Sequence, residues 1–349
     1  MDLNKYFQIK LNENFQKISN KKRKCTHPNC NKKAIKSHTI SRASNLLKIS
    51  SNDNHVYSIE NPIFNINNND LINFKRIGIN EASTYPLFCK KHDESLFESF
   101  EKNNTLKITQ KHCFLLHYRI LNKTLYLKEI IHSAFTQAIY ELKECKKFIK
   151  TDELQNYIDE LTYISETIGE EPKKLSNQKK NLDQLLIKRN YNSQSYYAII
   201  IDKIPEIQCS TAWIPMLDFK NNELFDLDNI NLHVPSISID ILGYQDKGII
   251  LFTWNNATEY TYSNANIKFI KSLDNIVNTE KSIAILYLIF SFNENIFINP
   301  DWFDRLDNNQ QKILKQIQIE AIERTFVLEN YNILKDFINW NIIDIKKNI

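Results

Sequence analysis

The sequence predicts an α+β protein in three parts. Cysteine and histidine pairs with metal-ligand spacing lie near the N-terminus. Apolar residues then recur at helical steps, and after Tyr191 they alternate as in strands. We therefore divide the 349 residues into a metal-binding module over 1–104, a helical connector over 105–190 and a mixed α+β domain over 191–349.

Composition excludes several classes of protein. A hydrophobic fraction of 42% and an aromatic fraction of 11% are typical of a folded chain rather than a disordered one. The chain has 4 glycines, and no GxGxxG motif can be built from them. Gly243 and Gly248 have the spacing of a Walker loop, but isoleucines follow where Lys and Ser or Thr are required. Walker-type NTPases and dinucleotide-binding folds are therefore excluded.

No apolar run is long enough to predict a membrane span. The best candidate, 283–292, is about half the required length and predicts a buried helix. The charged N-terminus lacks the apolar core of a secretion signal, so we expect a cytoplasmic protein. Six cysteines in a chain of this length are better explained as metal ligands or buried thiols than as disulfides.

The connector is expected to be helical. Apolar residues recur at helical steps over about 106–150 and again over about 152–167. Gly169 and Pro172 predict a break, followed by a third helical stretch over about 176–188. Together these stretches predict an antiparallel helical hairpin or a coiled connector.

The last part of the chain shows strand patterns and then helical ones. The strand candidates are 197–201, 207–209, 237–241 and 248–254. The residues 245–248 supply a turn, so the last two strands are expected to form a hairpin. Asn299 and Pro300 form a helix start, with a capping side chain followed by proline in the first turn.

A zinc site is the sharpest prediction. Cys25 and Cys30 form a CxxxxC knuckle, and Cys89 and His92 form a second pair just before an expected helix. Three thiolates and one imidazole suit a closed, structural Zn²⁺. Two knuckle ligands, one ligand at a hairpin end and one in a helix give the treble-clef arrangement. His27 is an alternative ligand in place of Cys25 or Cys30.

Between the two pairs, Ser37 and His38 occupy the place of an acid-His pair, and the segment 20–102 resembles the zinc-containing HNH, or ββα-metal, endonucleases. The resemblance implies that His38 is the general base and that Asp93 binds a catalytic Mg²⁺ or Mn²⁺. It also implies that Thr84 orients the base, with Asn80 a looser candidate. The sequence departs from the family pattern at Ser37, which replaces the acid, at Thr84, which replaces an Asn, and in the long gap between His38 and the second ligand pair.

A basic segment surrounds the first ligands. Residues 1–50 hold 12 Lys or Arg against Asp2 and Glu13, a net charge of +10. This charge predicts a polyanionic partner, DNA or RNA, that is bound through its phosphates. The expected phosphate-binding residues are Lys21, Lys22, Arg23, Lys24, Lys32, Lys33, Lys36 and Arg42.

The remaining motifs predict little chemistry. Cys113 and His117 are four residues apart on a helix, but the apolar run around them favours core packing over a metal site. The part after Tyr191 has no catalytic motif and is a candidate for sensing a ligand, binding a protein partner or forming a dimer. The favoured function is metal-dependent cleavage of DNA or RNA, which the resemblance associates with anti-phage defence. The alternative is a non-catalytic zinc module that binds nucleic acid or a protein partner.

Overall fold

The computed structural model describes residues 2–59, 73–101, 106–149, 151–226, 233–256, 262, 264–292, 294–322 and 327–349, and these form a mixed α+β fold. The helices described are α1 Leu3–Ser19, α2 Leu47–Ile49, α3 Lys90–Glu101, α4 Gln110–Lys143, α5 Asp152–Lys188, α6 Ala265–Asp274, α7 Asn278–Phe292, α8 Pro300–Phe303 and α9 Asn308–Ile322. The strands described are β1 Lys36–His38, β2 His55–Ile59, β3 Phe74–Gly78, β4 Thr84–Pro86, β5 Gln194–Ile201, β6 Ile207–Trp213, β7 Ile237–Tyr244, β8 Lys247–Asn255, β9 Ile296–Ile298 and β10 Ile342–Lys347.

The helical hairpin is present, but the predicted break in its second arm is wrong. Helix α5 runs without interruption through Gly169 and Pro172. Its buried residues recur every three or four positions through both of them, so packing of one continuous stripe outweighs the roughly 3 kcal/mol that an internal proline costs. A Cβ at Gly169 would lie 2.8 Å from Nε2 of His132 on α4, so glycine allows the two helices to approach closely.

The larger sheet has eight strands in the order β10-β5-β8-β7-β6-β9-β2-β3. The predicted hairpin is confirmed, because β7 pairs antiparallel with β8 from Ile237 opposite Trp254 to Tyr244 opposite Lys247. Gln245, in the turn between them, has a positive φ of 56°. The predicted helix start is confirmed as well, since the Asn299 side chain accepts a hydrogen bond from the Trp302 backbone N–H.

Helices cover both faces of this sheet. One face packs on α7 in the largest apolar core, where every residue from Ile283 to Phe290 is at most 6% exposed, as predicted for a buried helix. The other face packs on α4. Within the described parts of the chain, no helix combines the length and the apolar character that crossing a membrane requires.

The N-terminal part contributes to two separate sheets. Strands β2 and β3 extend the larger sheet, with Tyr57 opposite Ile298 at the junction of β2 and β9. Strands β1 and β4 form a separate two-stranded ribbon, here called the β1–β4 ribbon. Helix α1 packs on α4 through Phe7 and Phe135, whose ring centroids are 4.9 Å apart. The domain boundaries given above stay a prediction.

Candidate metal centre

The first ligand pair lies on a tight turn. The backbone N–H of Cys25 donates to the Lys32 carbonyl at 2.8 Å, and the N–H of Cys30 donates to the His27 carbonyl at 3.2 Å. Asn29 adopts a left-handed conformation with φ of 61°, which asparagine tolerates better than most residues do. The turn therefore bends the chain so that both thiols face the same point.

The second pair spans the start of α3. The His92 N–H donates to the Cys89 carbonyl at 2.9 Å, which places the imidazole in the first turn of the helix. The chain before α3 is bonded to the knuckle, since the Thr26 N–H donates to the Leu87 carbonyl and the Ile35 N–H to the Phe88 carbonyl, both at 2.8 Å. These backbone bonds bring the two pairs together.

The four predicted ligands converge. The Cys25 Sγ and Cys89 Sγ atoms lie 3.4 Å and 3.6 Å from Nδ1 of His92, and the Cys30 Sγ lies 3.9 Å from the Cys89 Sγ. All four donor atoms lie within 4.8 Å of one another. Zinc bonds of about 2.3 Å to sulfur and 2.0–2.1 Å to nitrogen give tetrahedron edges of roughly 3.5–3.8 Å. The cluster could therefore hold a metal ion such as zinc, and its donor chemistry fits that ion.

Burial acts on two of the ligands in opposite ways. Burial raises the pKa of the Cys25 thiol to about 11, so this thiol stays protonated at neutral pH until a metal ion displaces its proton. Burial also lowers the pKa of His92, which favours the neutral imidazole that a metal needs. His27 is not among the four converging donors. Its ring stacks on His92 with centroids 3.8 Å apart, and its Nδ1 lies 2.8 Å from the Pro28 carbonyl oxygen.

His38 ends β1 and is half-buried. Its Nε2 lies 2.9 Å from the carbonyl oxygen of Ile79. A carbonyl only accepts hydrogen bonds, so Nε2 carries the proton and the lone pair of the neutral ring lies on Nδ1. Within the described residues, that Nδ1 atom has no hydrogen-bond partner. The imidazole is thus fixed by one nitrogen and free to accept a proton at the other.

The two residues proposed to orient the base are engaged elsewhere. Thr84 lies directly opposite His38 in the β1–β4 ribbon, but its hydroxyl donates to the Glu81 carbonyl at 2.7 Å. The Asn80 Oδ1 accepts from Nη1 of Arg42 at 2.6 Å. The carbonyl of Ile79 bonds the imidazole instead, and no sequence motif marks a backbone carbonyl for this role.

Asp93, in the first turn of α3, lies within the electrostatic influence of Ser37 on β1. Burial raises the pKa of Asp93, while the facing Ser37 hydroxyl and the Arg119 guanidinium act in the opposite direction. Arg119 is almost fully buried, forms an ion pair with Glu101 and stacks over the Phe97 ring with its guanidinium carbon 4.7 Å from the centroid. Arg119, on α4, therefore contacts the face of α3 that carries Asp93, Phe97 and Glu101. Sequence reasoning missed it, because it lies inside an apolar helix far along the chain.

Lysines line two adjoining shallow grooves beside the cluster. The first, of about 650 Å³, is lined by Lys32, Lys33, Lys90 and Lys91 together with Glu94 and Glu98. The second, of about 410 Å³, is lined by Lys21, Lys22, Arg23, Lys33 and Lys36. Lys90 and Lys91 were not singled out from the sequence, although their place between two ligands was a usable signal.

Both of the predicted phosphate-binding arginines have partners within the protein. Arg23 pairs with Glu129 at 3.1 Å and stacks over Tyr126 with its guanidinium carbon 4.5 Å from the ring centroid, which fastens the knuckle to α4. Arg42 donates to Asn80, as described above. Lys24 remains exposed, with its Nζ 3.3 Å from the Asn31 Oδ1.

The second cysteine-histidine pair is part of the core, as predicted. Nδ1 of His117 lies 3.0 Å from the Ser238 hydroxyl, and both Cys113 and His117 are at most 2% exposed. Among the described residues, the cluster of Cys25, Cys30, Cys89 and His92 is the one group of three or more such donors that converges. Comparisons of the chain with protein-family models, with curated proteins and with solved structures found no match.

Proposed function

We propose that this chain is a metal-dependent endonuclease of the HNH type, in which a zinc-stabilised treble-clef module cleaves DNA or RNA. The observation that carries the proposal is that the Ser37 hydroxyl acts on the Asp93 carboxylate, and Ser37 directly precedes His38 in β1. In the HNH pattern, the positions of Ser37 and Asp93 hold the catalytic metal, and the position of His38 supplies the base. The part after Tyr191 would respond to a protein or ligand trigger, as in a defence effector.

The roles of the side chains follow from their geometry. Nδ1 of His38 takes a proton from the attacking water, while its Nε2–H, bonded to the Ile79 carbonyl, keeps the ring oriented. A divalent cation held by the Asp93 carboxylate would offset the negative charge that develops on the phosphate. Exposed lysines in the two grooves hold neighbouring phosphates. Hydrolysis then leaves a phosphate monoester and an alcohol, whose oxygen takes its proton from solvent.

Ser37 makes this site weaker than a two-carboxylate site. A serine hydroxyl is neutral, so Asp93 is the one anionic side chain that this pair offers to a cation. We therefore expect a requirement for a high concentration of Mg²⁺, with Mn²⁺ more effective because it binds oxygen ligands more tightly.

A second candidate function is nucleic-acid binding without cleavage. Adjacent residues of a strand point to opposite faces, and in β1 this separates His38 from Ser37. Lys36 shares the face of His38, and it lines the second groove. If the cation at Asp93 lies beyond reach of His38, the lysines still bind phosphates and no hydrolysis follows.

One experiment separates these candidates. Zinc-loaded protein is incubated with supercoiled plasmid or with RNA, in Mg²⁺, Mn²⁺ or EDTA, beside variants His38→Ala and Asp93→Asn. His132→Ala, which removes a half-buried histidine from the helical hairpin, is the matched control. Cleavage that requires the divalent ion and disappears only in the first two variants supports the nuclease. Salt-sensitive binding by all four proteins with no cleavage supports the binding module.

A further inference from the structure

Asn295 occupies the short loop between α7 and β9, in the C-terminal part of the chain. Its φ of 53° lies in the left-handed region, which glycine adopts most easily. An asparagine there keeps a side-chain amide that glycine would lack, so the contacts of that amide indicate its role.

That amide connects three segments. Its Nδ2 donates to the Thr39 hydroxyl at 3.2 Å and to the Ser210 carbonyl on β6 at 2.8 Å. Its Oδ1 accepts from the Tyr85 hydroxyl at 3.3 Å. Both donor hydrogens and one acceptor position of the side chain are thus used.

One of these partners lies in the β1–β4 ribbon, and another directly follows its first strand. Thr39 directly follows His38, and Tyr85 lies opposite Ser37 in the β1–β4 register. Oγ1 of Thr39 also lies 2.6 Å from Oγ of Ser83, which precedes β4. A single amide therefore ties both sides of the ribbon to the larger sheet.

The loop is itself held by ion pairs. Glu294 pairs with Lys128 at 3.2 Å and with the fully buried Lys123 at 3.5 Å, both on α4. Lys128 also pairs with Glu171 on α5 at 3.1 Å. Breaking the Glu294–Lys123 pair would leave the fully buried Lys123 charge uncompensated, so these ion pairs hold the loop against α4.

We infer that Asn295 is a positioning residue, which holds the β1–β4 ribbon and its His38 in place from the C-terminal part of the chain. The catalytic half of this inference rests on the proposed nuclease function, whereas the structural half does not. The C-terminal part would thereby act on the site without contacting the nucleic acid.

The test uses Asn295→Gly, which keeps the left-handed backbone accessible and removes only the amide. Asn221→Gly is the matched control, because Asn221 has a φ of 58° and its Oδ1 accepts from the Leu328 N–H at 3.2 Å, outside the ribbon. Hydrogen exchange is followed at the Thr39 and Ile40 amides, which donate to Ser83 at 2.8 Å and 3.1 Å. We expect about tenfold faster exchange in Asn295→Gly and no change in the control, at equal zinc content.

Activity supplies the second readout. For Asn295→Gly we expect kcat to fall about tenfold with KM unchanged, because the groove lysines are untouched. Tyr85→Phe removes one hydrogen bond to the same amide and serves as the test if Asn295→Gly does not fold. In Tyr85→Phe, the Thr39 and Ile40 amides should also exchange faster than in the wild type. Unchanged exchange overturns the inference, and faster exchange with unchanged kcat overturns its catalytic half. If the wild type shows no cleavage, the nuclease proposal fails while exchange still decides whether Asn295 holds the ribbon.

Discussion

Removing zinc should unfold the knuckle and leave the rest of the fold intact. Between residues 21 and 33, Cys25 is the one buried apolar residue, so little apolar burial holds this segment. A bound ion would join positions 59 and 67 residues apart along the chain. In the chain-entropy model, a cross-link over a loop of that length contributes about 4 kcal/mol. The core around α4, by contrast, should stay folded, because most of its buried residues lie outside the knuckle.

Hydrogen exchange measures this prediction directly. After chelation, verified by metal analysis, the Cys25 and Thr26 amides should exchange about a thousandfold faster, as about 4 kcal/mol of lost stabilisation implies. Amides in the middle of α4 should keep their protection. Cys30→Ser should produce the same pattern, whereas Cys145→Ser, which changes another half-buried cysteine, should not. Unchanged knuckle exchange in metal-free protein would refute the role assigned to the cluster.

Three further predictions follow from the same geometry. Ser37→Asp adds a second carboxylate beside Asp93, so the Mg²⁺ concentration for half-maximal cleavage should fall about tenfold or more; an unchanged requirement would place the cation elsewhere. Lys33 lines both grooves, so Lys33→Gln should reduce the magnitude of the slope of log nucleic-acid affinity against log salt concentration by about one. The control Lys312→Gln, on α9, should leave that slope unchanged. Fluorescence anisotropy measures both. Burial raises the pKa of Asp240 to about 7, against about 3.9 in the unfolded chain, so wild-type stability should decline as pH rises from about 4 to 7. Asp240→Asn has no such titration. Between pH 4 and pH 8, its free energy of unfolding in urea should therefore rise relative to that of the wild type by on the order of 4 kcal/mol. A difference between the two proteins that does not change with pH would contradict the assignment.

The features that the sequence predicted well are those with local causes. The converging ligands follow from two short spacings, each of which one turn or one helix start can satisfy. The β7–β8 hairpin follows from alternating apolar residues on both sides of a polar turn. In both cases the residues that decide the structure are close together in the chain.

The features that the sequence did not predict depend on distant contacts. The break expected at Pro172 is absent, because the stripe that continues past it packs on α4. The partner of His38 is a backbone carbonyl at Ile79, which carries no sequence signal. Asn295 could not be distinguished among the many asparagines of this chain, since its role depends on Thr39, which lies 256 positions away.

The most direct test of the nuclease proposal is cleavage of plasmid and RNA by zinc-loaded wild type and His38→Ala in the presence of Mn²⁺. We expect cleavage by the wild type that the variant lacks at equal zinc content and equal nucleic-acid affinity. Equal cleavage by both proteins would contradict His38 as the base. Salt-sensitive binding with no cleavage by either would contradict the nuclease proposal and leave a zinc module that binds nucleic acid.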